Sequence, residues 1–219
     1  MNRKEIKELA KTKVKGNKWN ILWPMLVISV VESIITGLFK PQVTVDYSNI
    51  NNLANMTVQY PTSYYVVSLL AGLIAGIFMA GYLKYLLNYV RGEKFDANVI
   101  IETVKEKWLQ ILIADILVGI IVGLCSLLFV IPGIIMALAY AMVNFIIIDS
   151  DTKGNDALKA SREMMKGHKW EYFVFILSFI GWFILTPFTL CILLIWLVPY
   201  FTIAEVIYYD KLKALTNNK

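Results

Sequence analysis

The sequence predicts an all-α polytopic membrane protein with six transmembrane helices arranged as three hairpins, each preceded by a cytoplasmic amphipathic interfacial helix. Three observations predict it. Hydrophobic residues make up 58% of the 219-residue chain and charged ones 17%, against about 45–50% and about 25% in ordinary soluble domains. The apolar residues fall in blocks at 21–39, 64–87, 109–130, 134–148 and 172–209, and about 20 apolar residues suffice to cross a bilayer. Finally, the stretches "KGNKW" (15–19), "KEKW" (105–108) and "KGHKW" (166–170) each stand directly ahead of a long apolar run.

Residues 1–19 form the first interfacial helix. Lysines at 4, 7, 11, 15 and 18 occupy one face, and Ile6, Leu9, Ala10 and Val14 another, the spacing of a helix lying on a surface. Its length and the lack of an Ala-x-Ala-like cleavage site argue against a removable secretory signal. Residues 20–90 form hairpin 1, with a polar outer loop at 40–63 whose single acid is Asp46. Residues 91–150 hold the second interfacial helix, from Asp96 to Lys107, and hairpin 2, whose turn is expected at Ile131-Pro132-Gly133 because Pro-Gly is a strong turn signal. Residues 151–219 hold the third interfacial helix, opening at Asn155-Asp156 and closing at Gly167, then hairpin 3 and a short inner tail. The 172–209 block is too long for one crossing and is expected to break at Thr186-Pro187; a single helix kinked at Pro187 is the alternative.

With six crossings and both termini cytoplasmic, inner segments collect 20 of the 21 Lys and Arg residues, as the positive-inside rule requires of a multi-pass protein of the cell membrane. The net charge of +5 then reflects attraction to anionic headgroups rather than nucleic acid. Trp19, Trp108 and Trp170, with Lys18, Lys107 and Lys169, are the expected interface anchors, since indole favours the headgroup zone and lysine snorkels. Gly72, Gly76 and Ala80 give a small-xxx-small seam for close helix packing.

Carboxyl groups at membrane depth are the candidates for chemistry. Glu32, Asp115 and Glu205 lie within apolar blocks, where insertion is costly and a role as a proton or cation relay is the functional alternative to a hydrogen-bonded, neutral acid. Glu205, five residues from Asp210, is placed to reach the interface. The lone His168 has no second histidine or carboxylate cluster beside it in sequence, and neither a phosphate loop nor a metal-ligand pattern is present. No catalytic set, metal or cofactor is therefore expected, and Cys125 and Cys191, inside apolar runs, are expected to stay free.

The stretches "NRKEIKELAKTKVKGNKW", "IPGIIMALAYAMVNFIIID" and "ALKASREMMKGHKWEYFVFILSFIGWFILTPFT" with "LIWLVPYFTIAEVIYYDKL" resemble a bacterial integral membrane family, domain of unknown function 975. The sequence departs from that resemblance after Pro187, where Cys191 and its neighbours replace expected glycines. The resemblance implies a multi-span protein of Gram-positive bacteria, distantly similar to the membrane domain of some glycerophosphodiesterases, and it supplies no catalytic residues.

The functional expectation is a non-enzymatic accessory, scaffold or protective (immunity-like) factor with a membrane or peptide partner. A small transporter or channel using the intramembrane carboxylates is the alternative, and a lipid-headgroup enzyme the third.

Overall fold

The computed structural model describes residues 2–39, 60–150, 152–189 and 193–217. The expected outer loop falls, over 40–59, outside the described residues, as do Asp46 and Cys191. Within them the chain runs α1 (Arg3–Val14), α2 (Lys18–Gly37), α3 (Thr62–Val90), α4 (Asn98–Leu128), α5 (Val130–Tyr140), α6 (Val143–Asp149), α7 (Gly154–Met164), α8 (Lys169–Ile184), a 3-10 turn (Pro187–Thr189) and α9 (Leu194–Asn217). Five helical stretches are long and apolar enough to cross a membrane: Lys18–Gly37, Thr62–Val90, Asn98–Leu128, Val130–Asp149 and Lys169–Thr189. The protein is all-helical among the described residues and membrane-embedded.

Glycine explains which of the three lysine-tryptophan stretches turn the chain. Gly16 and Gly167 adopt φ of 87° and 86°, a left-handed conformation that costs a residue without Cβ little, and so α1 and α7 stop just ahead of them. In "KEKW" no glycine precedes the Lys-Trp pair, and Lys105 and Glu106 stand where the other two have Gly-Asn and Gly-His. The expected separate interfacial helix from Asp96 to Lys107 is therefore corrected: Asn98–Leu128 is one 31-residue helix that runs straight through Trp108. Its N-cap position is Ala97 rather than Asp96, and Asp96, one residue ahead, accepts from the Asn98 amide through Oδ1 at 2.9 Å.

Hairpin 2 turns one step earlier than expected. Phe129, with φ −156° and ψ 141°, is the break, and Pro132 and Gly133 already lie in the first turn of α5, where a missing amide proton costs no helical bond. Gly133 is needed for another reason. A Cβ there would meet Ser126 Oγ at 2.1 Å, so the glycine lets α5 fold back against α4.

The next break, between α5 and α6 at Ala141-Met142, has no glycine or proline to cause it. It is stabilised from α7: the buried Ser161 hydroxyl donates to the Ala139 carbonyl at 2.9 Å and accepts from the Met142 amide at 3.3 Å. Backbone groups freed at membrane depth must find partners within the protein. After α8 the chain breaks around Thr186-Pro187, as expected, and α9 returns antiparallel to α8. The ring pairs Tyr172–Tyr208, Phe179–Tyr200 and Trp182–Trp196 mark the seam, which excludes a single kinked helix.

α1 packs on α9 through Ile6, Ala10 and Val14, all buried, while Leu9, expected on the same apolar face, remains 40% exposed. Protein therefore covers most of the stripe that was expected to meet lipid. At the turn into α2, Tyr82, Tyr85 and Tyr89 of α3 donate to the carbonyls of Ile21, Asn20 and Lys13 at 2.7–2.8 Å. The Asn20 bond has a specific cause. Pro24 lies inside α2 and has no N–H for the carbonyl four residues earlier, and the Tyr85 hydroxyl takes its place.

Burial is concentrated at one end of the bundle. The core joins Ile6, Ala10 and Val14 to Tyr82, Leu86 and Leu87 of α3, Phe145–Ile148, Ala157 and Leu158 of α7, and Tyr208, Tyr209 and Leu212 of α9. Helix ends remote from it are bare: Leu127 is 85% and Phe188 82% exposed, as suits surface that meets lipid. Within Val130–Asp149 it is α6 that is buried, at Val143 and from Phe145 to Ile148, whereas α5 carries Val130, Ile131, Ile134 and Ile135 exposed toward the bare end, and α4 packs on α3, α5, α6 and α7.

Tyr85→Phe is expected to lower stability by about 1 kcal/mol, the net worth of a part-buried hydrogen bond to a carbonyl that has no helical partner, as measured by SDS titration in mild detergent. Pro24→Ala should remove most of that cost by restoring an amide proton at position 24. Strictly additive effects of the two changes would contradict this.

Candidate functional site

Three polar sites interrupt the apolar bundle. The first ties the ends of α3, α6 and α9 together. Arg91, just past α3, grips Asp149 with two bonds of 2.5 and 2.9 Å and Asp210 with two of 3.0 and 2.8 Å. Asp149 also accepts from Lys213 Nζ at 2.6 Å and from the Tyr209 hydroxyl at 3.0 Å, and its side chain is only 4% exposed. Hydrogen bonds to Asp149, with Asp210 adding, hold the Arg91 guanidinium above its ordinary pKa despite partial burial. Beside this cluster Lys107 Nζ donates to the carbonyls of Ile147 and Ser150, capping the C-terminal end of α6, and Glu5 of α1 pairs with Lys211 of α9.

The second site lies where α3, α4 and α6 meet. Asn144 Nδ2 donates to Asp115 Oδ1 at 3.1 Å, and Asn144 Oδ1 is buried with no hydrogen-bond partner among the described residues. A Cβ on Gly76 would come within 3.2 Å of Asp115 Oδ2, so the glycine leaves room for the carboxyl group. Asn144 is the second residue of α6, directly after the Ala141-Met142 break.

Glu32 forms the third, in a groove between α2 and α3 lined by Val27, Ile28, Val31, Ile35, Ala71, Ile74, Ala75 and Phe78. Among the described residues no side chain bonds its carboxylate. Glu205, expected to reach the interface, instead faces the α8–α9 seam, where the Tyr172 hydroxyl donates to it at 2.6 Å.

The three predicted acids thus sit at three separate helix junctions. Two are hydrogen-bonded to neutral side chains, as burial of a carboxyl group demands. Of the predicted packing seam, Ala80 is buried, Gly76 adjoins Asp115, and Gly72 is exposed with open space around it. α3 also comes close to α4 at Gly81, where a Cβ would lie 2.8 Å from the Ile100 carbonyl. Trp19, Trp108 and Trp170 are all exposed. Lys18 is exposed and Lys169 half-buried. His168 Nδ1 lies 3.1 Å from Glu171 Oε2, one helical turn on.

The profile of a family described as protein of unknown function (DUF975) matches residues 1–138 and 127–216. The chain belongs to this family. No curated protein and no solved structure matches the DUF975 chain.

Sequence reasoning missed Arg91, Asp149, Asp210 and Lys213 as a group because charges at the edges of apolar blocks read as boundary markers, and nothing local says which will pair. Asn144 had a signal: it is the only amide side chain in the 134–148 block.

Asn144→Leu is expected to destabilise the DUF975 protein by about 1–3 kcal/mol by stranding Asp115. The double variant with Asp115→Leu should recover part of the loss, read by the same SDS titration.

Proposed function

We propose that this is a non-enzymatic, six-span protein of the bacterial cell membrane, both termini cytoplasmic, that serves as a scaffold for a membrane partner, with the Glu32 groove as the docking face. The observation that carries the reading is Glu32 itself: a carboxyl group in a membrane-facing apolar groove, without a partner among the described residues. Such a group is costly in lipid and gains most from a helix that brings a hydrogen-bond donor or cation to its depth. The occupant is therefore a partner's transmembrane helix bearing Lys, Arg, Ser, Thr or Asn opposite Glu32, with small residues Ala71 and Ala75 admitting close approach.

The Glu5–Lys211 pair supports the topology, because it places α1 and the end of α9 together, as an even number of crossings requires. α9 would be the sixth crossing. The ionic cluster would then face the cytoplasm, with the compact core beside it.

A photo-crosslinking residue placed at Val31 or Ile74 is expected to yield one discrete adduct in the native membrane, retained by Glu32→Gln and lost with Glu32→Leu. Adducts indifferent to Glu32→Leu, or adducts with lipid alone, would refute the docking role.

A second reading, a small cation or proton transporter, is favoured by the Asp115–Asn144 pair beside a broken helix, a feature that transporters use to line binding sites. It predicts that Asp115→Asn abolishes cation-dependent flux in proteoliposomes; equal flux in wild type, variant and empty vesicles rejects it.

A further inference from the structure

Two sets of lysines stand on α1 and the turn that joins it to α2. Lys7 donates to the Ser178 carbonyl at 3.0 Å and lies over the Phe179 ring, its pKa lowered by burial and by Arg3. Lys13 donates to the Val90 carbonyl at 3.2 Å. Both serve the fold. Lys11, Lys15 and Lys18, spaced four and three residues apart across the Gly16 turn, line a groove of about 170 Å³ with Val14, Trp196 and Tyr200. No carboxylate pairs with these three among the described residues. Lys18 is also the first residue of α2, whose N-terminus has no side-chain cap, so the helix adds partial positive charge at the same place.

The opposite wall is aromatic. Trp196 and Tyr200 have ring centroids 5.0 Å apart, and Trp196 lies 6.1 Å from Trp182. Beyond them Ile195, Trp182 and Ile184 are exposed apolar surface. A groove cationic at one end and opening onto apolar surface at the other matches an amphiphile rather than a free anion.

We infer that this groove is a specific binding site for an anionic phospholipid, with its phosphate on Lys11, Lys15 and Lys18 and its glycerol and first methylenes against Trp196 and Tyr200. Basic pockets between membrane helices bind anionic headgroups by this combination of charge and apolar contact. The site differs from general attraction to a negative membrane because three particular lysines, and not others, must carry it. It does not depend on the Glu32 groove or on a protein partner.

The test is native mass spectrometry of the full chain in mild detergent, titrated with phosphatidylglycerol or phosphatidylcholine. Wild type should retain one phosphatidylglycerol in preference to phosphatidylcholine. The triple variant K11Q/K15Q/K18Q should lose that preference by about tenfold or more, since each lysine near a charged surface contributes roughly a factor of five. K11R/K15R/K18R should keep it, which separates charge from folding, and Trp196→Ala should weaken retention with the lysines intact. Three results would each overturn the site: an unchanged K11Q/K15Q/K18Q variant, an equal loss in the control K4Q/K159Q/K166Q, or displacement of the lipid by millimolar inorganic phosphate, which would make it a free-anion site.

Discussion

The bidentate grip of Arg91 on Asp149 is the interaction on which the rest of the structure depends. In lipid, apolar side chains gain nothing by leaving hydrocarbon for one another, so helices are held by packing, hydrogen bonds and charge. Arg91 follows α3, Asp149 closes α6, and Asp210 and Lys213 belong to α9. One cluster thereby joins a rod from each of the three expected hairpins. Its members satisfy one another, which matters because a buried charge without a partner costs several kcal/mol.

From that fixed end, the remaining features follow as ways of satisfying backbone groups where helices break. Pro24 frees the Asn20 carbonyl and Tyr85 reaches it; the Ala141-Met142 break frees two groups and Ser161 reaches both; Lys107 closes the end of α6. α7 is thus more than a surface helix. Gly154 at its start sits where a Cβ would lie 2.9 Å from the Gln110 carbonyl of α4, and Ser161, two turns on, supports the break inside the bundle. The helices α1 and α7, both ended by a left-handed glycine, press their apolar sides onto protein, which leaves Lys11 of α1, with Lys15 and Lys18 at the turn that follows it, outward for another partner.

Much of this was legible in the sequence, and where it was not, the reason is physical. Apolar blocks, the close of α7 ahead of Gly167 and the break near Pro187 are local properties, and each lies where the residues said, whereas the first helix, expected over 1–19, stops at Val14 because Gly16 turns the chain before α2 begins at Lys18. The continuity of α4 was also readable, since Lys105 and Glu106 stand where the other two stretches have a glycine and its neighbour, but the shared Lys and Trp drew attention away from it. The Pro132-Gly133 pair misled because proline is as acceptable in a helix's first turn as in a hairpin turn, and the glycine answers to Ser126 rather than to φ. The α5–α6 break had no local signal at all, for its cause is a serine 19 residues onward. Of the candidate sites, Glu32 and Asp115 were visible as intramembrane acids, whereas the pairing of Asp115 with Asn144 and of Glu205 with Tyr172 rests on long-range contacts that one sequence does not disclose.

A double-mutant cycle on Arg91→Met and Asp149→Leu, followed by equilibrium unfolding in mild detergent, probes the central claim most directly. If the two residues clamp α3 to α6, each single change takes a bidentate partner from the other, leaving Arg91 with Asp210 alone or Asp149 with Lys213 and Tyr209, and the double variant should be more stable than the sum of the singles by about 2 kcal/mol or more. Additive losses, with no coupling between the two positions, would contradict it.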